Sequence, residues 1–184
     1  MNLPHPLLPA QILLVNLVTD GLPAVALGLE PSDAGLMRRP PRDVSESVLS
    51  GRLGARIAGR GLLIGLVSTA VFAAFFTAGA DLAAARTGAL VTIVISQLIH
   101  ACQTHYMGGT TGSIMGTNPG LAGAVLSSFV VMLTVMYVPP LAAVMGLVAL
   151  DVTAFAICAA AALAGPVLER ILTGISRGRL VVEA

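Results

Sequence analysis

The stretch Asn16-Leu17-Val18-Thr19-Asp20-Gly21-Leu22-Pro23 sets the character of the whole chain. It lies in an apolar run from Leu7 to Leu29 whose one formal charge is Asp20. An ionised carboxylate near the centre of a membrane-length helix costs roughly 2.5–3.5 kcal/mol on insertion scales, so such a residue is a functional-site hypothesis by default. On an α-helix, Asn16, Thr19 and Asp20 stand at i, i+3 and i+4, within an arc of about 100°. Three oxygen-bearing side chains therefore share a face. Oxygen donors suit a hard cation such as calcium, which takes about six to eight of them. The triplet can supply part of such a shell, and other helices must supply the rest.

Gly21 and Pro23 extend the argument. Proline removes the amide that would bond to the Thr19 carbonyl, and its ring clashes there. The helix is expected to break or unwind at this point. Non-helical backbone at membrane depth is tolerated where it is buried in protein or lines a cavity, and broken helices recur at ion sites. The competing reading is a simple proline kink whose aspartate pairs with a neighbouring helix. That reading leaves the matched spacing of Asn16 and Thr19 unexplained.

Composition points the same way. Hydrophobic residues make up 56% and charged residues 10%, against about 25% charged in soluble domains, and mean hydropathy is +0.91. The expected class is all-α, a polytopic membrane bundle of five helices with a broken first helix. The net charge of +1 and scattered basic residues offer no nucleic-acid patch. All ten basic residues are arginine, a bias that fits a GC-rich bacterial genome. Cys102 and Cys158 show no CxxC pairing and read as small apolar residues. Residues 1–9 carry no basic segment ahead of the apolar run, so no signal peptide is expected.

The expected helices cover about residues 7–28, 53–79, 88–105, 121–138 and 151–172, which together form one domain over 1–184. Prolines at 4, 6 and 9 set the first start, and Asp151 and Thr153 are candidate caps of the last helix, with a bend expected at Pro166. Glu30 to Arg52 is polar and proline-bearing, a loop outside the bilayer. Gly61 and Gly65 form a small-xxx-small pair, read equally as a close helix contact or as ordinary membrane glycine. Gln97, His100 and Gln103 recur at three-residue spacing and should point into the bundle. His100 reads as a packing residue, since no second His, Cys or carboxylate stands at ligand spacing beside it. Gly108-Gly109-Thr110-Thr111-Gly112 lacks the strand and Lys of a phosphate loop, so it reads as a plain connector.

The run from Leu13 to Ala24, with Ala26-Leu27-Gly28 and Arg39-Pro40-Pro41-Arg42, resembles the sixth transmembrane helix and following loop of P-type cation-transporting ATPases, the calcium pumps above all. The likeness continues through Ser96-Gln97-Leu98-Ile99-His100-Ala101, Asn118-Pro119 and Tyr137-Val138-Pro139, which makes the chain similar to helices six to ten of such a pump. The resemblance implies that Asn16, Thr19 and Asp20 coordinate the transported ion, calcium or a similar divalent cation, with Gln97 a weaker candidate. Interhelical hydrogen bonding is an equal reading of Gln97. A neutral Gln97, where one branch of the pumps has glutamate, favours a single calcium-like site.

The family's phosphorylated Asp-Lys-Thr-Gly-Thr motif, nucleotide-binding domain and actuator Thr-Gly-Glu loop are absent from this sequence. The resemblance therefore implies no catalytic residue here and no ATPase on its own. ATP and magnesium would act through the pump's other domains, with the lipid bilayer and the N-terminal part of the pump as partners. The alternative is a stand-alone, non-catalytic membrane scaffold or regulator.

Charge fixes an expected orientation. Arg38, Arg39, Arg42, Arg52, Arg56 and Arg60 cluster after the first helix, Arg170, Arg177 and Arg179 lie at the far end, and Arg86 alone lies opposite. Five spans put the nine on one face, which the positive-inside rule makes cytoplasmic. The N-terminus is then outside and the C-terminus in the cytoplasm of a bacterial plasma membrane. With Cys102 and Cys158 replaced, a membrane-impermeant maleimide should label Ser45→Cys only from the cytoplasmic side and Ala80→Cys only from outside; the reverse pattern refutes the orientation.

Overall fold

Pro9 begins the first helix because its fixed φ suits a first turn and its missing amide hydrogen has no intrahelical role there. In the computed structural model, which describes residues 4–29, 52–107 and 114–182, this helix comes in three joined pieces. Helix α1 covers Pro9–Asn16, a π turn covers Leu17–Gly21, and α2 covers Leu22–Gly28. The further elements are α3 (Arg52–Thr77), α4 (Leu82–Met107), the short α5 (Ile114–Thr117), α6 (Pro119–Tyr137), α7 (Pro139–Met145) and α8 (Val152–Val182). The fold is all-helical, as expected, with no strand among the described residues.

Among the described residues, four segments are long and apolar enough to cross a membrane: Pro9–Gly28, Gly54–Thr77, Leu82–His105 and Pro119–Tyr137. The apolar part of α8, Val152–Val167, is shorter. The chain is an integral membrane protein. Leu13, Leu62, Leu66, Leu126 and Val130 point outward from the bundle, which costs nothing where the surroundings are hydrocarbon.

Local signals account for the boundaries. Gly79 at φ 87 lets Ala80 donate to the Phe75 carbonyl at 3.0 Å, the six-to-one bond that closes a helix C-terminus. The chain can then turn back at once, so α4 starts at Leu82, earlier than the expected residue 88. Arg86 fits within that early start because its Nε donates to the His5 carbonyl at 3.0 Å, at the end of the bundle. Asn118 caps α6 by accepting from Leu121 N at 2.9 Å, and Asp151 caps α8 by accepting from Ala154 N at 2.9 Å. Thr153 lies inside α8, as does Pro166, and α8 runs on to Val182. The segment after Pro139 folds into α7, which was not anticipated, and ends at Gly146 with φ 61. The polar loop and the glycine-rich connector lie outside the described residues.

Helix α4 is the hub. It packs against α3, α8, α6 and all three pieces of the broken helix, and Leu90, Val91 and Val94 are buried with Leu14, Val18, Val71, Met132 and Cys158 in one apolar core. Thr87, Thr92 and Ser96 enter that core because each hydroxyl donates to a carbonyl four residues back at 2.7–2.8 Å, which satisfies its donor. Gly88 lets α3 come close, since a Cβ there would meet Phe75 Cε2 at 3.0 Å.

Gln11 ties the first helix to the other end of the chain. Its side chain is fully buried, accepts from Leu8 N at 3.0 Å, and donates to the carbonyls of Met145 and Gly146 at 3.2 Å each. Gln11→Ala should therefore destabilise the fold by about 1–3 kcal/mol, the cost of leaving buried partners unsatisfied. The check is thermal unfolding in detergent, where the variant melts lower; an unchanged Tm refutes the role given to Gln11.

Candidate cation site

The proline signal is realised as a widened turn, with helix on both sides of it. Leu17–Gly21 adopts π geometry, and Gly21 sits at φ −67, ψ −90 ahead of Pro23 in the first turn of α2. A π turn spaces backbone groups differently from an α-helix and is frequent at functional sites. It also changes which side chains share a face, because the i, i+3, i+4 rule assumes 3.6 residues per turn.

Thr19 and Asp20 open onto a cleft of about 350 Å³ between the broken helix, α3 and α4. Gln97 and His100 line it from α4, and Arg60 and Gly61 line it from α3. Three of the four sequence-predicted ligands, Thr19, Asp20 and Gln97, thus border one cleft. Asn16 does not line it and lies exposed, which follows from the change of pitch just after it.

The donor chemistry is that of oxygen. Thr19 Oγ1 donates its proton to the Val15 carbonyl at 2.8 Å, which leaves its lone pairs as acceptors. The same oxygen lies 3.4 Å from Asp20 Oδ1. Asp20 is exposed on the open side of the bundle. Gln97 Oε1 is buried with no hydrogen-bond partner among the described residues, an arrangement that costs about 1–3 kcal/mol unless a partner arrives. Together these groups offer at most about four oxygens, short of the six to eight that calcium takes. No group of three or more His, Cys, Asp or Glu residues at metal-binding distance occurs among the described residues. These groups alone are too few to complete such a shell.

One side chain at the cleft escaped the sequence reading. Arg60 Nη1 hydrogen-bonds His100 Nδ1 across α3 and α4, placing a guanidinium in the same cleft as the one carboxylate. The available signal was an arginine within the apolar span Gly54–Thr77, which is costly enough at membrane depth to mark a functional environment. Gln103 lines a small neighbouring cavity with Arg60, Ser96 and His100. His100 and Gln103 thus face the interior, as their spacing predicts.

Comparison with known proteins identifies the chain's relatives. The family described as "Cation transporting ATPase, C-terminus" matches residues 4–173. The chain is 43% identical over 146 residues to a protein named "Calcium-transporting ATPase" from Bacillus subtilis, covering 77% of this chain and 16% of that protein. It is 34% identical over 162 residues to "Calcium-transporting ATPase 1" from Bacillus cereus, covering 79% of this chain and 18% of that protein. The chain therefore spans less than a fifth of the length of these relatives. Apolar spans, a helix that turns to π geometry beside its one carboxylate, and a match over most of its length place it in one family: the chain belongs to the C-terminal membrane region of the P-type cation-transporting ATPases, calcium-pump-like in sequence.

Proposed function

We propose that this chain supplies one wall of the transport site of a calcium-translocating pump, with Asp20 as the charged ligand and Thr19 and Gln97 as neutral oxygen ligands. The observation that carries the reading is the shared cleft: the carboxylate of Asp20 and the unpartnered Oε1 of Gln97 border the same space. A dehydrated cation is the occupant that satisfies both, because it needs negative charge and carbonyl-type oxygens together. Asn16 belongs to the same ligand set only if the π turn tightens when the ion binds, which rotates its side chain toward Thr19 and Asp20.

The rest of the shell, the phosphorylated aspartate, and the sites for ATP and magnesium belong to the remainder of the pump, in the same chain or a separate one. The relatives' names support calcium as the cargo. Orientation follows the arginine distribution, with the N-terminus outside a bacterial plasma membrane and the C-terminus in the cytoplasm. In that orientation the cleft, bordered by Leu27, Ile57 and Thr104 beyond Asp20, extends toward the cytoplasm.

The test is the intact pump in membrane vesicles, or this chain co-expressed with the complementary part. Asp20→Asn should abolish calcium-dependent ATP hydrolysis, because a lone carboxylate cannot be replaced by a neutral amide in holding a divalent ion. Gln97→Leu should raise the half-saturating calcium concentration about tenfold, the equivalent of one net hydrogen bond or ligand at about 1.4 kcal/mol. Calcium dependence indifferent to Asp20→Asn would remove the assignment.

A further inference from the structure

Ser128 on α6 is 2% exposed, and its Oγ has no hydrogen-bond partner among the described residues. Other hydroxyls in the bundle behave differently. Ser68, Thr87, Thr92 and Ser96 each donate to the carbonyl four residues earlier. That bond is within reach of any helical serine, so the Ser128 hydroxyl is turned away from its own helix.

The packing register shows where it is turned. The Asn118 side chain donates to the Ala26 carbonyl at 3.2 Å, pinning the start of α6 to the end of α2. From there α6 packs along α2 and against the π turn, so the two segments run antiparallel. Leu121 and Ala124 pack against Ala26 in one buried cluster, and Ser128 is the next buried residue of that stripe. At 1.5 Å per residue, Ser128 stands about 15 Å along α6 from Asn118, and Leu17 and Val18 stand about 12–14 Å back from Ala26. The unpartnered hydroxyl is level with the π turn.

The π turn has its own deficit at that level. Pro23 is four residues after Thr19 and five after Val18, and it has no amide hydrogen to give to either carbonyl. The carbonyl that loses its usual amide and the buried hydroxyl without a partner thus stand at the same level on two segments that pack together.

We propose that Ser128 is a positioning residue of the cation site: its hydroxyl donates across one water to the carbonyl that Pro23 leaves without an amide, and so fixes where Asp20 stands. This rests on the cation-site reading above. Groups that orient ligands from outside the coordination shell typically account for 10–100-fold in metal affinity.

The experiment measures calcium-dependent ATP hydrolysis by the intact pump in vesicles, with Asp20→Asn run beside the Ser128 variants. Ser128→Ala should raise the half-saturating calcium concentration about tenfold, with the rate at saturating calcium within about twofold of the parent. Ser128→Thr, which keeps the hydroxyl, should restore the parent's calcium dependence. Equal calcium dependence in all three Ser128 forms, or a loss that threonine does not rescue, overturns the role of Ser128 while Asp20→Asn still inactivates. Indifference to Asp20→Asn removes the site itself and the Ser128 inference with it.

Discussion

A proline four residues after Thr19 leaves a membrane-spanning helix unable to complete its backbone hydrogen bonds, and the rest of the bundle is arranged around that deficit. In water an unpaired carbonyl would be solvated; in hydrocarbon it must find protein, water or an ion. The structure answers with a π turn over Leu17–Gly21, buried on the side where Val18 and Thr19 meet the core and open on the side where Asp20 stands. Carboxylate and altered pitch occur in the same five residues, so the feature that is expensive in lipid is also the one that can grip a cation.

Positioning such a site demands rigidity around it. Helix α4 supplies this, because its hydroxyls bond back to their own helix and allow dense packing of Leu90, Val91 and Val94 against α3, α6, α8 and the broken helix. Gln11 and Asn118 clamp the two ends of the broken helix through side chain to carbonyl bonds. The flexible geometry is thereby confined to the π turn. The proposed function calls for this combination, since alternating access asks a fixed framework to hold one element with more than one backbone arrangement.

Much of this was legible in the sequence. Apolar runs placed four of the five helix starts within two residues but missed the start of α4 by six and the end of α8 by ten; Pro9 and Asp151 marked helix starts, and the Asn16–Pro23 stretch marked the break. Legibility failed where periodicity stopped applying. The one-face argument for Asn16, Thr19 and Asp20 presumes 3.6 residues per turn, and the π turn separates Asn16 from the cleft that takes the other two. Arg60 was read only as one of the arginines clustered after the first helix, whereas its contact with His100 is a tertiary fact. Helix α4 starts earlier than expected because a glycine at positive φ reverses the chain within four residues, a geometry that charge counting around Asp81 and Arg86 does not reveal.

The central claim is that the missing amide of Pro23 creates the geometry of the ion site. Pro23→Ala restores that amide, and in the intact pump the decisive quantity is the calcium concentration that half-saturates ATP hydrolysis. The account predicts a large rise, about tenfold or more by analogy with other changes in ligand orientation, in a protein that accumulates normally because alanine favours helix. Unchanged calcium dependence in Pro23→Ala would contradict it.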